Sequence, residues 1–357
     1  MNKVIIAAAG SGKTQTIVEM AYQEHRPVLI TTYTDSNTEE VRNRFYALHG
    51  AVSNHVMILP WYTFMLNYGV RPYQDIFITD DIKGVNLVNG QSARYISKGK
   101  KQFYMDYENR VYSDKIAALM LLINERCDGH VLNNIADIFP VILVDEVQDM
   151  AGYDLDVLEA LIQHPSTNVI CVGDPRQGII LTNKSSRNKK FRQSGMLDFF
   201  QRRVAKYVSV DTTSLQTNYR CISDICTLSD RLYPEFPQVV SGQANVCNHI
   251  GCYLVRPADI EEYVDSFHPI QLRSRITVPV SSSALAQNFG VVKGLSFDHV
   301  MVYPTQDMQR WLLTGVDTMK ETTCSQLYVV ITRARYSVAF VVDYPPDFQH
   351  DILHPFK

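Results

Sequence analysis

Residues 9–14 read Ala-Gly-Ser-Gly-Lys-Thr, behind an apolar run and ahead of an amphipathic stretch. Counted from Ala7 they fit the pattern G-x-x-x-x-G-K-[ST], with Ala7 standing where the first glycine belongs. The small residues Ala9, Gly10, Ser11 and Gly12 let backbone N–H groups curl around phosphate oxygens at a helix N-terminus, where the dipole favours anions. Lys13 is placed to reach β- and γ-phosphates, and Thr14 to ligate Mg²⁺. Residues 141–146, V-I-L-V-D-E, are four apolar residues ending in two acids. That pattern sets carboxylates at the C-terminal tip of a strand, where open α/β sheets hold their ligands. Asp145 suits a Mg²⁺ ion held through water, and Glu146 suits polarising an attacking water. A tight turn with a lone lysine and an acidic helix cap are the plain alternatives. The strand–loop–helix context and the pairing of the two motifs favour phosphate chemistry.

Elements of regular spacing must position these groups. Val4–Ala9, Val28–Thr32, Val56–Leu59, Val141–Val144, Val169–Val172, Val300–Tyr303 and Ser337–Val342 read as strands. Thr14–Gln23, Thr38–Leu48, Ile116–Glu125, Leu155–Ile162 and Cys324–Ile331 read as helices. Alternation of the two predicts an α/β fold with parallel sheets. At 357 residues the chain has room for two domains of roughly 150 residues each. Hydrophobic residues make up 46% and charged residues 20%, which excludes a disordered, collagen-like or coiled-coil chain. A formal charge of −3 excludes a wholly basic tail but leaves room for a local basic groove. Seven scattered cysteines point to a reducing, cytoplasmic setting. Cys221, Cys226, Cys247, Cys252 and His249 have spacings that fit zinc poorly. The apolar stretch at the N-terminus is too short for a signal peptide, and no run is long enough to span a membrane.

Further segments follow in a fixed order. They are T-T-Y-T-D at 31–35, V-D-E-V-Q-D at 144–149, V-G-D-P-R-Q at 172–177, L-Q-T-N-Y-R at 215–220, V-K-G-L-S-F-D-H-V at 292–300 and L-Y-V-V-I-T-R-A-R at 327–335. With the P-loop, this series resembles the UvrD/Rep-like branch of superfamily 1 helicases over nearly the whole chain. The resemblance implies two RecA-like domains, 1–207 and 208–357, with small insertions at about 70–113 and 235–283 and ATP with Mg²⁺ in the cleft between them. It implies that Gln177 of motif III senses the γ-phosphate or the water. Arg220 and Arg333 are implied arginine fingers, a task suited to a planar, always charged fork. Arg335 is a weaker candidate of the same kind. Tyr219 is implied to stack on adenine and Gly294 to line the nucleotide. On the polynucleotide side, Thr32, Tyr33 and Thr34 match motif Ia, and Trp61, Tyr62, Thr63 and Phe64 match motif Ib in position. Aromatic stacking on bases is sequence-tolerant; core packing is the alternative, above all for Phe64.

Five cations fall within nine residues at Lys184, Arg187, Lys189, Lys190 and Arg192, and a second set comprises Arg94, Lys98, Lys100 and Lys101. Beside strand-binding motifs the first set reads as a phosphate-tracking loop rather than a solvated one. Four departures separate the chain from the family pattern. Few residues precede the P-loop, so the glutamine motif that reads adenine is not seen and GTP stays open. No aromatic follows Gln177. Asn288, Gly290 and Ser296 replace usual motif V residues. The insertions are short. The resulting expectation is an ATP-dependent, DNA-stimulated translocase acting on single-stranded DNA or DNA ends, weak at unwinding alone. One alternative is a nucleotide-dependent switch that senses DNA ends and recruits a partner such as a nuclease. Another is a P-loop kinase or metabolic NTPase, against which Arg220, Arg333 and the Gln148–Asp149 pair argue.

Overall fold

The computed structural model describes residues 1–179, 185–245 and 247–357. They fall into two compact units. The first comprises Met1–Ile6, Lys13–Pro175 and Leu181–Asp211, and the second Ala7–Gly12, Arg176–Ile180 and Thr212–Lys357.

The first unit contains β1 (Asn2–Ile6), β2 (Val28–Thr32), β3 (Val56–Pro60), β4 (Gly84–Asn86), β5 (Arg110–Tyr112), β6 (Val141–Val144), β7 (Asn168–Gly173) and β8 (Val208–Asp211). Its helices are α1 (Lys13–Gln23), α2 (Asp35–His49), α3 (Trp61–Phe64), α4 (Ile116–Arg126), α5 (His130–Ile138), α6 (Asp154–Gln163) and the short α7 (Met196–Asp198). Six strands form one parallel sheet in the order β3-β2-β6-β7-β1-β8. β2 and β6 are buried at every position, which is why they read as unbroken apolar runs rather than alternating ones. Because the sheet is parallel, the C-terminal ends of the adjacent strands β6, β7 and β1 share one edge. α2 starts three residues earlier than its apolar spacing predicts, because the Thr34 hydroxyl accepts the Asn37 N–H at 3.2 Å and caps it. Between α3 and α4 the chain carries only short helical turns and the β4–β5 pair. Asp106 organises the β4–β5 pair by accepting from the Asn86 amide at 2.8 Å and from the Arg110 backbone at 2.9 Å.

The second unit contains β9 (Thr217–Asn218), β10 (Val240–Ser241), β11 (Gly251–Val255), β12 (Ile270–Arg273), β13 (Ala286–Asn288), β14 (Phe297–Tyr303), β15 (Ala334–Val341) and β16 (Leu353–Pro355). Its helices are α8 (Ser223–Asp230), α9 (Ile260–Phe267), α10 (Gln306–Thr314) and α11 (Glu321–Ile331). A second six-stranded parallel sheet runs β13-β12-β14-β15-β11-β16. One apolar cluster joins Ile225, Leu228, Leu327 and Val330 of the helices to Leu254, Val302 and Phe340 of the sheet. Another joins Tyr263 and Val264 of α9 to Val255, Met301 and Ala339.

Several boundaries differ from the sequence expectation. β1 ends at Ile6 rather than Ala9, because the backbone turns through positive φ at Gly10 (68°) and Gly12 (82°). β8 pairs with β1, Asn2 against Val208 and Val4 against Val210, so the division between the units falls after Asp211 rather than at 207/208. A pairing between strands some two hundred residues apart leaves no trace in the local pattern. The span expected as an insertion, 235–283, carries β11 and β12 of the second sheet. Cys221, Cys226 and Cys252 lie in the second-unit core as small apolar groups, and the His249 ring is stacked between Tyr253 and Phe267.

Candidate nucleotide site and strand-binding loops

In the first unit, Asp145 directly follows β6 and is 3% exposed. Its Oδ2 accepts from the Thr14 hydroxyl at 3.2 Å, on the first turn of α1 beside the buried Lys13. Burial, and then the Glu146 carboxylate, push the Asp145 carboxyl well above its usual range, while the Lys13 ammonium opposes both. Two acids and a hydroxyl balanced by one ammonium form an oxygen-rich set short of positive charge, which fits a hard divalent cation such as Mg²⁺. Glu146 lies in the left-handed region at φ 52° and ψ 42°. Such strain in a residue with a side chain is characteristic of functional sites. The Gln148 amide donates to the Glu146 carboxylate, and its carbonyl oxygen accepts the Asp174 N–H at 3.1 Å. A Cβ on Gly173 would lie 2.4 Å from that oxygen and 2.9 Å from Val147 Cγ1. Glycine there is what lets motifs II and III meet. Gln148 was visible only as one letter of motif II, and its role in holding Glu146 emerges from the geometry.

The second unit gathers Gln177, Arg220 and Arg333 at the C-terminal end of α11. The Arg333 guanidinium is 1% exposed. It donates to the carbonyls of Val329 at 3.1 Å and Leu295 at 3.2 Å, and to Gln177 Oε1 at 3.4 Å. Arg220 donates to the Thr332 carbonyl at 3.1 Å. Helix C-termini carry the negative end of the dipole, which favours the two cations there. Gly294 sits exposed at φ 87° in the turn before β14. Within the same unit the Gly10 carbonyl accepts the Tyr219 N–H at 3.0 Å, the Ser11 hydroxyl donates to the Ala8 carbonyl at 2.8 Å, and the Ala9 N–H donates to the Tyr328 hydroxyl at 3.4 Å. A Cβ on Gly10 would collide with Asn218 at 2.4 Å. The Tyr219 ring is 65% exposed. Arg176, which the motif reading left without a role, is buried against Phe236 and Tyr328 and donates to the Ala7 carbonyl at 3.3 Å.

The strand-facing set divides. Tyr33 and Thr63 are half-buried. Thr32 is fully buried, and its hydroxyl bonds the Thr34 carbonyl at 3.0 Å and Thr38 at 3.3 Å, turned into the start of α2. Phe64 is a correction: it is fully buried against Trp61 and Phe139 and is closed to a base. Arg187 is exposed, and its fork donates to Asp156 at 2.6 and 2.9 Å. Lys189 and Lys190 are exposed and line an open cleft of about 590 Å³ with Arg202 and Arg203. Lys184 lies outside the described residues. The two basic runs meet at Tyr153: Lys98 donates to its hydroxyl at 2.6 Å and the Arg187 guanidinium lies 4.7 Å from its ring centre. Among the described residues no helix is long and apolar enough to cross a membrane.

Comparison with known proteins adds family membership. Residues 1–183 match a family described as an AAA domain, and residues 100–342 match the viral superfamily 1 RNA helicase core domain. No curated protein matches the chain. Among solved structures, the arterivirus nonstructural protein 10 helicase is similar at 13% identity and a TM-score of 0.47, over 97% of this chain and 60% of that one. The same helicase in complex with DNA is similar at 12% and 0.48, over 97% and 62%. The PRRSV helicase is similar at 15% and 0.44, over 95% and 52%. The chain thus spans about half to three fifths of the length of these structures. With ordered motifs, two parallel α/β sheets and a family match across about two thirds of its length, the chain belongs to the superfamily 1 helicases, in the viral RNA helicase core family.

Proposed function

We propose that the chain is an ATPase stimulated by single-stranded nucleic acid, a translocating motor of the superfamily 1 kind. The observation that carries this reading is the first-unit constellation of Thr14 on Asp145, with Glu146 strained and held by Gln148. Lys13 draws in the β- and γ-phosphates, and the N–H groups of Gly10, Ser11 and Gly12 cradle them. Thr14 and Asp145 hold Mg²⁺, which supplies neutralisation of phosphate charge when bound. Glu146 orients the water and takes up its proton. Gln177, Arg220 and Arg333 answer the charge on the transferred phosphoryl group, Tyr219 stacks on the base, and Gly294 lines the nucleotide. Tyr33 and Thr63 meet the strand, and Lys189 and Lys190 meet its phosphates.

The ordered motif spellings support a UvrD/Rep-like mode of action and a DNA strand. The family match supports a second reading, in which the strand is RNA. The test is steady-state hydrolysis of ATP and of GTP, each without strand, with oligothymidylate and with oligouridylate. Stimulation by either strand supports the motor reading and names the polymer. Turnover that neither strand changes favours a P-loop kinase or metabolic NTPase that acts without nucleic acid.

A further inference from the structure

Asp154 opens α6 and is only 5% exposed, yet no step of the proposed hydrolysis uses it. Its two oxygens have two different aromatic partners. The Trp61 indole N–H donates to Oδ1 at 3.1 Å, and the Tyr33 hydroxyl donates to Oδ2 at 3.4 Å. Tyr33 follows β2, and Trp61 begins α3 directly after β3, the neighbouring strand. α6 itself starts five residues beyond Asp149, where motif II ends. One carboxylate therefore ties together three segments of the first unit: the loops matching motifs Ia and Ib, and the helix after motif II.

Packing alone does not account for an acid at this position. A carboxylate taken out of water is costly, and an apolar side chain of similar volume often serves stability as well or better. Hydrogen bonds add direction: they fix the plane of the indole and the tilt of the phenol, which dispersion contacts leave loose. Burial raises the Asp154 carboxyl to about 7, against the opposing bonds from Trp61, the Ala151 backbone and Tyr33 and with a small further push from Asp156. Trp61 is buried and anchors α3, leaving Tyr62 and Thr63 half-buried beside it, while Tyr33 keeps part of its ring open. The neighbouring residues of the same turn are engaged in the same sense. Tyr153 holds Lys98 and Arg187, and Asp156 holds Arg187 and Arg203.

We propose that Asp154 is a positioning residue for the polynucleotide: it sets Tyr33 and the α3 turn in the orientation that meets a single strand. This rests on the strand-stimulated reading above. The test measures ATP turnover against increasing oligothymidylate or oligouridylate and separates the half-stimulating concentration from the maximal rate. Asp154→Ala should raise that concentration ~10-fold, the scale of one charge-assisted hydrogen bond. Maximal and strand-free turnover should stay as in the wild type. Asp154→Asn keeps an acceptor for the indole and should fall between the two. Tyr33→Phe should raise the concentration alone, yet add nothing on top of Asp154→Ala, since both remove one contact. If the alanine variant does not fold, Asp154→Asn with Tyr33→Phe forms the same cycle. A folded Asp154 variant with an unchanged half-stimulating concentration, or effects that multiply in the double variant, would overturn the proposal. A wild type that neither strand stimulates overturns the strand reading itself, and does so before any variant is measured.

Discussion

Glu146 has little freedom. Its left-handed backbone costs about 1–3 kcal/mol for a residue with a side chain, and Gln148 holds the carboxylate while reaching back to the Asp174 N–H. Gly173→Ala drives a methyl group into Gln148 and Val147. Misplacement on that scale near a reacting atom costs ~10²-fold in rate. The variant should therefore bind ATP about normally and turn it over far more slowly, a split that titration of a fluorescent nucleotide together with steady-state kinetics will show. At this scale the proposed nucleotide residues stand out because the proposed role asks for one residue type at one spacing: Lys13 and Thr14 after β1, Asp145 and Glu146 after β6. Phe64 was misjudged for the opposite reason. An aromatic ring serves a core as readily as a ligand, and only tertiary neighbours decide which. Asp154 gave no signal at all, since its partners lie far away in sequence.

At the scale of elements, the segment after β7 divides into ion-paired and exposed charge. Arg187 and Arg203 are tied to Asp156 and Glu159, whereas Lys189 and Lys190 are exposed. Neutralising both lysines should flatten the salt dependence of single-strand binding by a slope of ~0.7 per lost contact. An unchanged slope in a filter-binding or anisotropy titration would make them solvated surface residues. The first turn of α6 gives a pH signature. Asp154 is held at about 7 against an ordinary value of 3.8, so the folded chain binds its proton more tightly than the unfolded chain. Its contribution is full below about 3.8 and is lost as the pH rises through about 7. Thermal midpoints of the wild type and Asp154→Asn compared from acid to neutral pH should show the wild type losing ground as pH rises, with Asp156 and Tyr33 as the facing ionisable groups. A constant difference would place the Asp154 carboxyl at its ordinary value.

At the scale of the whole molecule, strand–helix alternation made the α/β class and both parallel sheets legible. Every strand and helix expected from the apolar spacing is present, with ends shifted by a few residues. Short strands such as β12, β13 and β16, and the docking of β8 beside β1, were not legible, because they depend on pairing partners rather than on their own pattern. The sequence departures bear on duplex opening. Each base-pair step resists by ~1.4 kcal/mol of stacking on average, and no aromatic follows Gln177 to hold the strand through that work. Single-turnover displacement of a short tailed duplex by this chain alone should be inefficient even where single strands stimulate hydrolysis well. Efficient displacement would restore a self-sufficient helicase.

The most direct test of the account compares wild type and Glu146→Gln in ATP binding and in turnover with saturating single strand. The substitution keeps size and hydrogen bonding and removes the proton acceptor. The account predicts near-normal binding of ATP and of strand, with strand-stimulated turnover down by ~10²-fold or more. Stimulated turnover near the wild-type rate in Glu146→Gln would contradict the assignment of the nucleotide site on which the functional reading stands.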